Sequence, residues 1–294
     1  MLMPLNFEWN NPVALCDSHA ARACGRSRRR YIGLVQRLGK NIGGYRGETL
    51  DIRQIRSAID SAAAAGGWRR HVGQYDDPAL AGQFDFRSYS RGRSDVEKRL
   101  YISTGIHGDE PAGPLAVLDL LQENPWPDSV SVWLCPCLNP MGFLRNQREN
   151  PGGIDLNRDF RHLRSPEIRA HVAWLEQQPS FTVTLCLHED WESSGFYLYE
   201  LNPDGRPTFA SGIVDAVASV CPIDLSPMIE NWPADGGLIH PPVTPETRPL
   251  WPESIYLLSR KTRMSYTMEA PSDFPLSVRR AALAAGVRAV LARL

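Results

Sequence analysis

Leu100-Tyr101-Ile102-Ser103-Thr104-Gly105-Ile106-His107-Gly108-Asp109-Glu110-Pro111 is a short apolar run that leads into a histidine, with a carboxylate three residues beyond it. Residues 100–103 read as a buried strand, and His107 and Glu110, three apart in the loop that follows, can point at one cation. Downstream the chain alternates. An apolar helix over 114–122 is stopped by Asn124-Pro125, and a strand covers 130–134. Ser165-Pro166-Glu167 opens a helix to 176 with a cap, a first-position proline and a first-turn acid. A strand over 181–187 delivers His188, and a helix covers 209–220. A strand over 265–268 delivers Glu269, and an amphipathic helix over 276–294 keeps Val278, Ala282, Ala285, Ala289 and Ala292 near one face. This order predicts an α/β sandwich around a mainly parallel or mixed sheet.

Upstream the signals are weaker. Helical apolar spacing over 31–38 stops at Gly39, and Ile52, Ile55 and Ile59 share the face of a helix that 62–65 extend and Gly66-Gly67 end. Strands are predicted over 71–75 and 84–89. Residues 1–30 show no periodicity and read as an irregular lead-in to one domain over 31–294. Residues 222–255 hold eight of the 24 prolines with Trp232, Trp251 and Gly236-Gly237, and read as an ordered loop that walls a site.

Composition narrows the function. With 294 residues and 43% apolar content the chain can bury a large core. A net charge of −1 gives no reason to expect nucleic acid or an anionic membrane as partner. The cluster Arg26, Arg28, Arg29 and Arg30 reads as a solvated face. No apolar run approaches the roughly 20 residues of a membrane span, and the first residues lack the pattern of a signal peptide. Cysteines 16, 24, 135, 137, 186 and 221 are scattered, several in apolar runs, and read as buried thiols of a cytoplasmic protein. Cys135-Pro136-Cys137 is a packing feature on this reading, since zinc-binding cysteines come as more widely spaced pairs.

A catalytic zinc takes three protein ligands from His and carboxylate and leaves a fourth position for water. His107, Glu110 and His188 meet that requirement, and one zinc per chain is expected. Each has a plainer reading when taken alone: a capping or core histidine, or a strand-end His bonded to backbone. All of them near strand ends, where ligands gather in open α/β sheets, favour the metal. Glu269 is the candidate general base, to take a proton from the water and return it to the leaving amine. Arg148, with Arg145 as competitor, is the candidate cation for the oxyanion. Asn157 with Arg158 offers an amide and a guanidinium fork, suited to a carboxylate. Gly152-Gly153 lets the loop before them turn back toward the metal.

His107-Gly108-Asp109-Glu110, Asn139-Pro140-Met141-Gly142-Phe143 and Gly153-Ile154-Asp155-Leu156-Asn157-Arg158-Asp159-Phe160 resemble the zinc carboxypeptidase family, nearest its bacterial murein-peptide amidase branch. The resemblance covers roughly residues 100 to 275. It implies a single three-layer α/β/α domain around a mixed, twisted sheet of about eight strands. It also implies a zinc on His107, Glu110 and His188, Glu269 as base, Arg148 as oxyanion arginine, and Asn157 and Arg158 on the substrate's terminal carboxylate. Asp109 stands where the digestive branch has arginine, and Asp159 where asparagine is frequent. Tyr256 is the nearest candidate for the family's capping tyrosine and is given no firm role.

The expected function is therefore a zinc-dependent carboxypeptidase or amidase that cleaves an amide next to a free carboxylate in a small peptide. An N-acyl-amino-acid deacylase of the related succinylglutamate desuccinylase/aspartoacylase group would use the same set on an acyl amino acid. An inactive zinc-binding relative is disfavoured because the base and an oxyanion arginine are both present.

Overall fold

Leu100 and Ile102 are buried against one layer of helices and Tyr101 against another, so the strand they form lies in the middle of three layers. The computed structural model describes residues 35–294 apart from Ser94. The expected lead-in over 1–30, with Cys16, Cys24 and the arginine cluster, lies outside the described residues. So do positions 31–34 of the expected helix over 31–38, whose remaining positions 35–38 are not helical.

The elements in chain order are α1 (Ile52–Ala65), β1 (Arg69–Gly73), α2 (Pro78–Ala81), β2 (Phe86–Arg91), β3 (Arg99–Thr104), α3 (Ala112–Glu123), β4 (Ser131–Cys135), α4 (Pro140–Arg145) and α5 (Pro166–Glu176). They continue with β5 (Val183–Asp190), β6 (Tyr197–Leu201), α6 (Ala210–Val217), β7 (Met228–Ile229), β8 (Trp232–Asp235), β9 (Leu238–Ile239), α7 (Glu253–Arg260), β10 (Ser265–Pro271) and α8 (Leu276–Leu291). One sheet runs in the order β1-β2-β4-β3-β5-β10-β6-β9-β8-β7. Its centre is parallel: β3 pairs with β4 and β5, and β5 with β10. The outer pairs β1–β2, β2–β4, β10–β6, β8–β9 and β7–β8 are antiparallel.

Central strands are covered on both faces, which explains their unbroken apolar runs. On one side α1, α3, α6 and α8 pack on Leu100, Ile102, Leu134, Leu185, Leu187 and Met268. On the other, α2, α4, α5 and α7 pack on Tyr101, Cys135 and Cys186. Cys135, Cys137, Cys186 and Cys221 are free buried thiols, as the packing reading of Cys135-Pro136-Cys137 requires.

Local chemistry fixes the ends. The Asp51 carboxylate accepts from the Arg53 and Gln54 amides at the start of α1, and Asn124 closes α3 in the left-handed conformation (φ 54°). Ser165 stands at the cap position of α5 but turns away from it. Its amide and hydroxyl both donate to Asp159 Oδ2, at 2.7 and 2.8 Å.

Among the described residues the sheet has ten strands, where the resemblance implies about eight. The excess comes from 222–255, which folds as a small β-meander before α7. Strands of two to four residues show too few positions for an alternation to be read. Their turns are two residues long and left-handed, Glu230-Asn231 (φ 50° and 62°) and Gly236-Gly237 (φ 58° and 81°). α2, β6, α4 and α7 have no counterpart among the elements expected from the sequence.

Candidate metal centre and cleft

The loop from β3 to α3 carries His107 and Glu110, and it is pressed against α4. A Cβ on Gly108 would lie 2.1 Å from the Gly142 carbonyl carbon, so only glycine allows this approach. His188 comes from the end of β5 and Glu269 from β10, the adjacent parallel strand, where the two residues are paired in register. His107, Glu110 and His188 are all buried, and one ligand atom from each lies within 4.8 Å of the others. They are the one such group of three among the described residues. Glu110 is the hub: Oε1 meets His107 Nδ1, and Oε2 lies 3.0 Å from His188 Nδ1. Two imidazole nitrogens and a buried carboxylate converging on one point fit a catalytic zinc.

Asp155 completes the geometry. Its Oδ1 lies 3.2 Å from His107 Nε2 and its Oδ2 accepts from Arg148 Nε at 3.1 Å. Metal-binding histidines are typically anchored this way through the far ring nitrogen. Burial opposes charge on Glu110, but the two imidazoles hold its carboxyl well below the usual range. Asp155 is lowered as well, against burial, by His107 and Arg148. Burial also opposes the His107 imidazolium, yet Glu110 and Asp155 raise its pKa. Burial pushes the Glu269 carboxyl up to about 8, against the pull of His188.

A cavity of about 610 Å³ opens above this cluster. His107, Glu110, His188, Arg148, Asn157, Arg158 and Glu269 all line it. Tyr199, Leu201 and Thr267 form more of its floor, and Trp232, Arg248 and Leu250 come from the chain between β6 and α7.

The profile of the succinylglutamate desuccinylase/aspartoacylase catalytic domain matches residues 96–226. Carboxypeptidase SOL1 of Arabidopsis thaliana is 31% identical over 118 residues, 33% of this chain and 24% of that protein. A candidate metallopeptidase from Shewanella amazonensis SB2B superposes with a TM-score of 0.70 at 25% identity, covering 83% of this chain and 93% of its own. Another from Shewanella denitrificans OS217 gives 0.69 at 23%, covering 84% and 96%. The chain shares its fold with these metallopeptidase structures. It spans about a quarter of the length of the Arabidopsis relative, 24%.

In this fold the two candidate oxyanion arginines separate clearly. Arg148 Nη1 lies 3.3 Å from His107 Nδ1 and 3.8 Å from Glu110 Oε1, whereas Arg145 is exposed and does not line the cavity. Asn157 accepts from the Glu253 amide at 2.9 Å through Oδ1, which leaves its Nδ2 donors for the cleft. Tyr256 lies elsewhere. It is buried beside α5 with its hydroxyl on Glu176, so it is no capping residue in this structure. Trp232 lines the cavity, while Trp251 stands behind the wall, bonded to the Pro245 carbonyl and lying against the Arg161 guanidinium. Asp159 is fully buried and holds the start of α5 through Ser165 on its Oδ2, while its Oδ1 faces Arg164 Nε at 3.4 Å, where an amide nitrogen would oppose the guanidinium. Sequence reasoning missed Asp155, Arg248, Tyr197 and Tyr199. Asp155 stood inside the quoted motif, and Tyr197 and Tyr199 stand two apart, the signal of one strand face.

Proposed function

We propose that the chain is a zinc-dependent hydrolase that cleaves an amide bond next to a free carboxylate in a small peptide. The observation that carries this reading is one cavity lined by the His107, Glu110 and His188 group, by Glu269, and by Arg148, Asn157 and Arg158. Zinc held by His107 Nδ1, Glu110 and His188 Nδ1 would act as a Lewis acid on the scissile carbonyl and acidify water. Arg158 and the Asn157 amide bind and orient the terminal carboxylate, so the scissile bond lies over the metal ligands. Glu269 takes a proton from the attacking water on its carboxylate and delivers it to the leaving nitrogen. Arg148 places a guanidinium beside the ligand cluster, where negative charge grows on the carbonyl oxygen. A cavity of about 610 Å³ suits a ligand of a few residues.

The match of residues 96–226 favours a second reading, an N-acyl-amino-acid deacylase with the same groups in the same roles. Zinc analysis of the purified protein, with a turnover screen of short peptides, murein tripeptide and N-acyl amino acids, separates the two. One zinc per chain with cleavage of peptides bearing a free carboxylate supports the peptidase reading. Preference for acyl amino acids moves the assignment to the deacylase, and absence of zinc after reconstitution overturns both.

A further inference from the structure

Residues 37–48 precede both the profile match and every expected site residue, yet they make contact immediately behind the metal ligands. Asp273, just beyond β10, anchors the segment. Its carboxylate accepts from the amides of Gly39, Lys40 and Asn41 at 3.1, 2.9 and 3.2 Å and from Arg37 Nε at 3.1 Å. From that anchor the chain runs to two contacts. The Tyr45 hydroxyl donates to the Asp109 carbonyl, between the ligands His107 and Glu110. Glu48 accepts from Arg279 of α8, which is fully buried. Arg279 also donates to Glu189, the residue after His188, and Glu189 in turn accepts from the Ala112 amide, two residues after Glu110.

These bonds enclose the ligands. Successive strand residues face opposite sides of a sheet, so as His188 turns to the cluster, Glu189 turns to α8 and meets Arg279 there. Glu48-Arg279-Glu189-Ala112 thereby ties β5, which carries one ligand, to the start of α3, which fixes another. Tyr45 grips the same loop from outside. A buried guanidinium between two carboxylates is held at both ends, and losing Glu48 leaves Arg279 paired with Glu189 alone and one end of its guanidinium unanchored. The plainer alternative is that these contacts only staple down 37–48.

We propose that Tyr45 and Glu48 are positioning residues of the metal centre, acting through the 107–110 loop and through Arg279 and Glu189. The proposal rests on the zinc reading above. Tyr45→Phe removes a single donor and keeps the ring, and Glu48→Gln removes one charge from a side chain that is 35% exposed, so both variants should fold. The test is the zinc dissociation constant by chelator competition, with hydrogen exchange of the metal-free proteins at the amides of residues 108–110 and 112. Each variant should raise the dissociation constant about tenfold or more, as loss of a ligand-orienting group does. Exchange at these amides should quicken, and Glu48→Asp, which keeps the charge, should recover part of the affinity. Dissociation constants within about twofold of the parent in both variants overturn the proposal, whatever exchange shows. If the parent itself binds no zinc, the zinc reading has failed. Exchange then decides: unchanged protection at these amides overturns the coupling too.

Discussion

Asp155 touches His107 and Arg148 and also accepts from the Asn157 amide at 2.8 Å. One carboxylate thus orients a candidate metal ligand, a candidate oxyanion arginine and the turn that presents a candidate substrate-binding amide. Asp155→Asn should keep the fold and weaken zinc binding about 10- to 100-fold, read by chelator competition; unchanged affinity would remove Asp155 from the metal centre. Arg158 makes a different prediction, because it is exposed and among the described residues bonds only to its neighbour's carbonyl. Arg158→Ala should raise KM for peptides with a free carboxylate and leave amidated ones nearly unchanged, and equal losses on both would end its carboxylate role. The ligand group is legible in sequence because His107 and Glu110 lie three apart and His188 and Glu269 lie toward the ends of apolar runs. Asp155 is not, since its importance lies in two contacts, His107 forty-eight positions away and Arg148 seven away, that only the folded loop creates.

Helix α5 shows how an element can read correctly in sequence and still hide its chemistry. Its boundaries follow from Ser165-Pro166-Glu167, but its inner face carries His171, fully buried and 2.8 Å from the Tyr101 hydroxyl on β3. Burial pushes the His171 pKa down to about 3. The sign follows: below its ordinary value of 6.5 the unfolded chain takes up this proton and the folded chain does not. Stability is therefore complete above that pH and falls as pH drops toward about 3, by up to roughly 1.4 kcal/mol per unit. His171→Gln should flatten the decline of melting temperature between about pH 6.5 and 4.5 relative to the parent, and parallel curves would contradict it. The meander from β7 to β9 is the opposite case. Prolines mask it in sequence, and only Gly236-Gly237 signals a hairpin turn. Its strands exist because β6 offers them an edge, which no local pattern reports.

The whole molecule brings its site together from residues between 107 and 269, and most of the frame is apolar core that needs no metal to form. Chelation should therefore lower the melting temperature without abolishing a cooperative transition. Zinc at about 100 times its dissociation constant adds about 2.7 kcal/mol, roughly 4–5 °C for a chain this size. Calorimetry with and without chelator checks this, and either no shift or outright unfolding would count against a site built on a preformed sheet. The three-layer order is legible because each central strand and its covering helix carry their own period. The extra edge strands and the wrapping by 37–48 depend on long-range contacts.

Glu269 and His188 sit across a single strand separation, about 4.8 Å in any sheet. That spacing is a property of backbone hydrogen bonding and is indifferent to what covers it. The wall between β9 and α7, with Pro241, Arg248 and Leu250, has no such constraint. On the proposed function, substrate preference can therefore drift, or be redesigned, by rewriting wall positions while Glu269 and His188 keep their gauge, so new specificities are reachable here without relearning the chemistry.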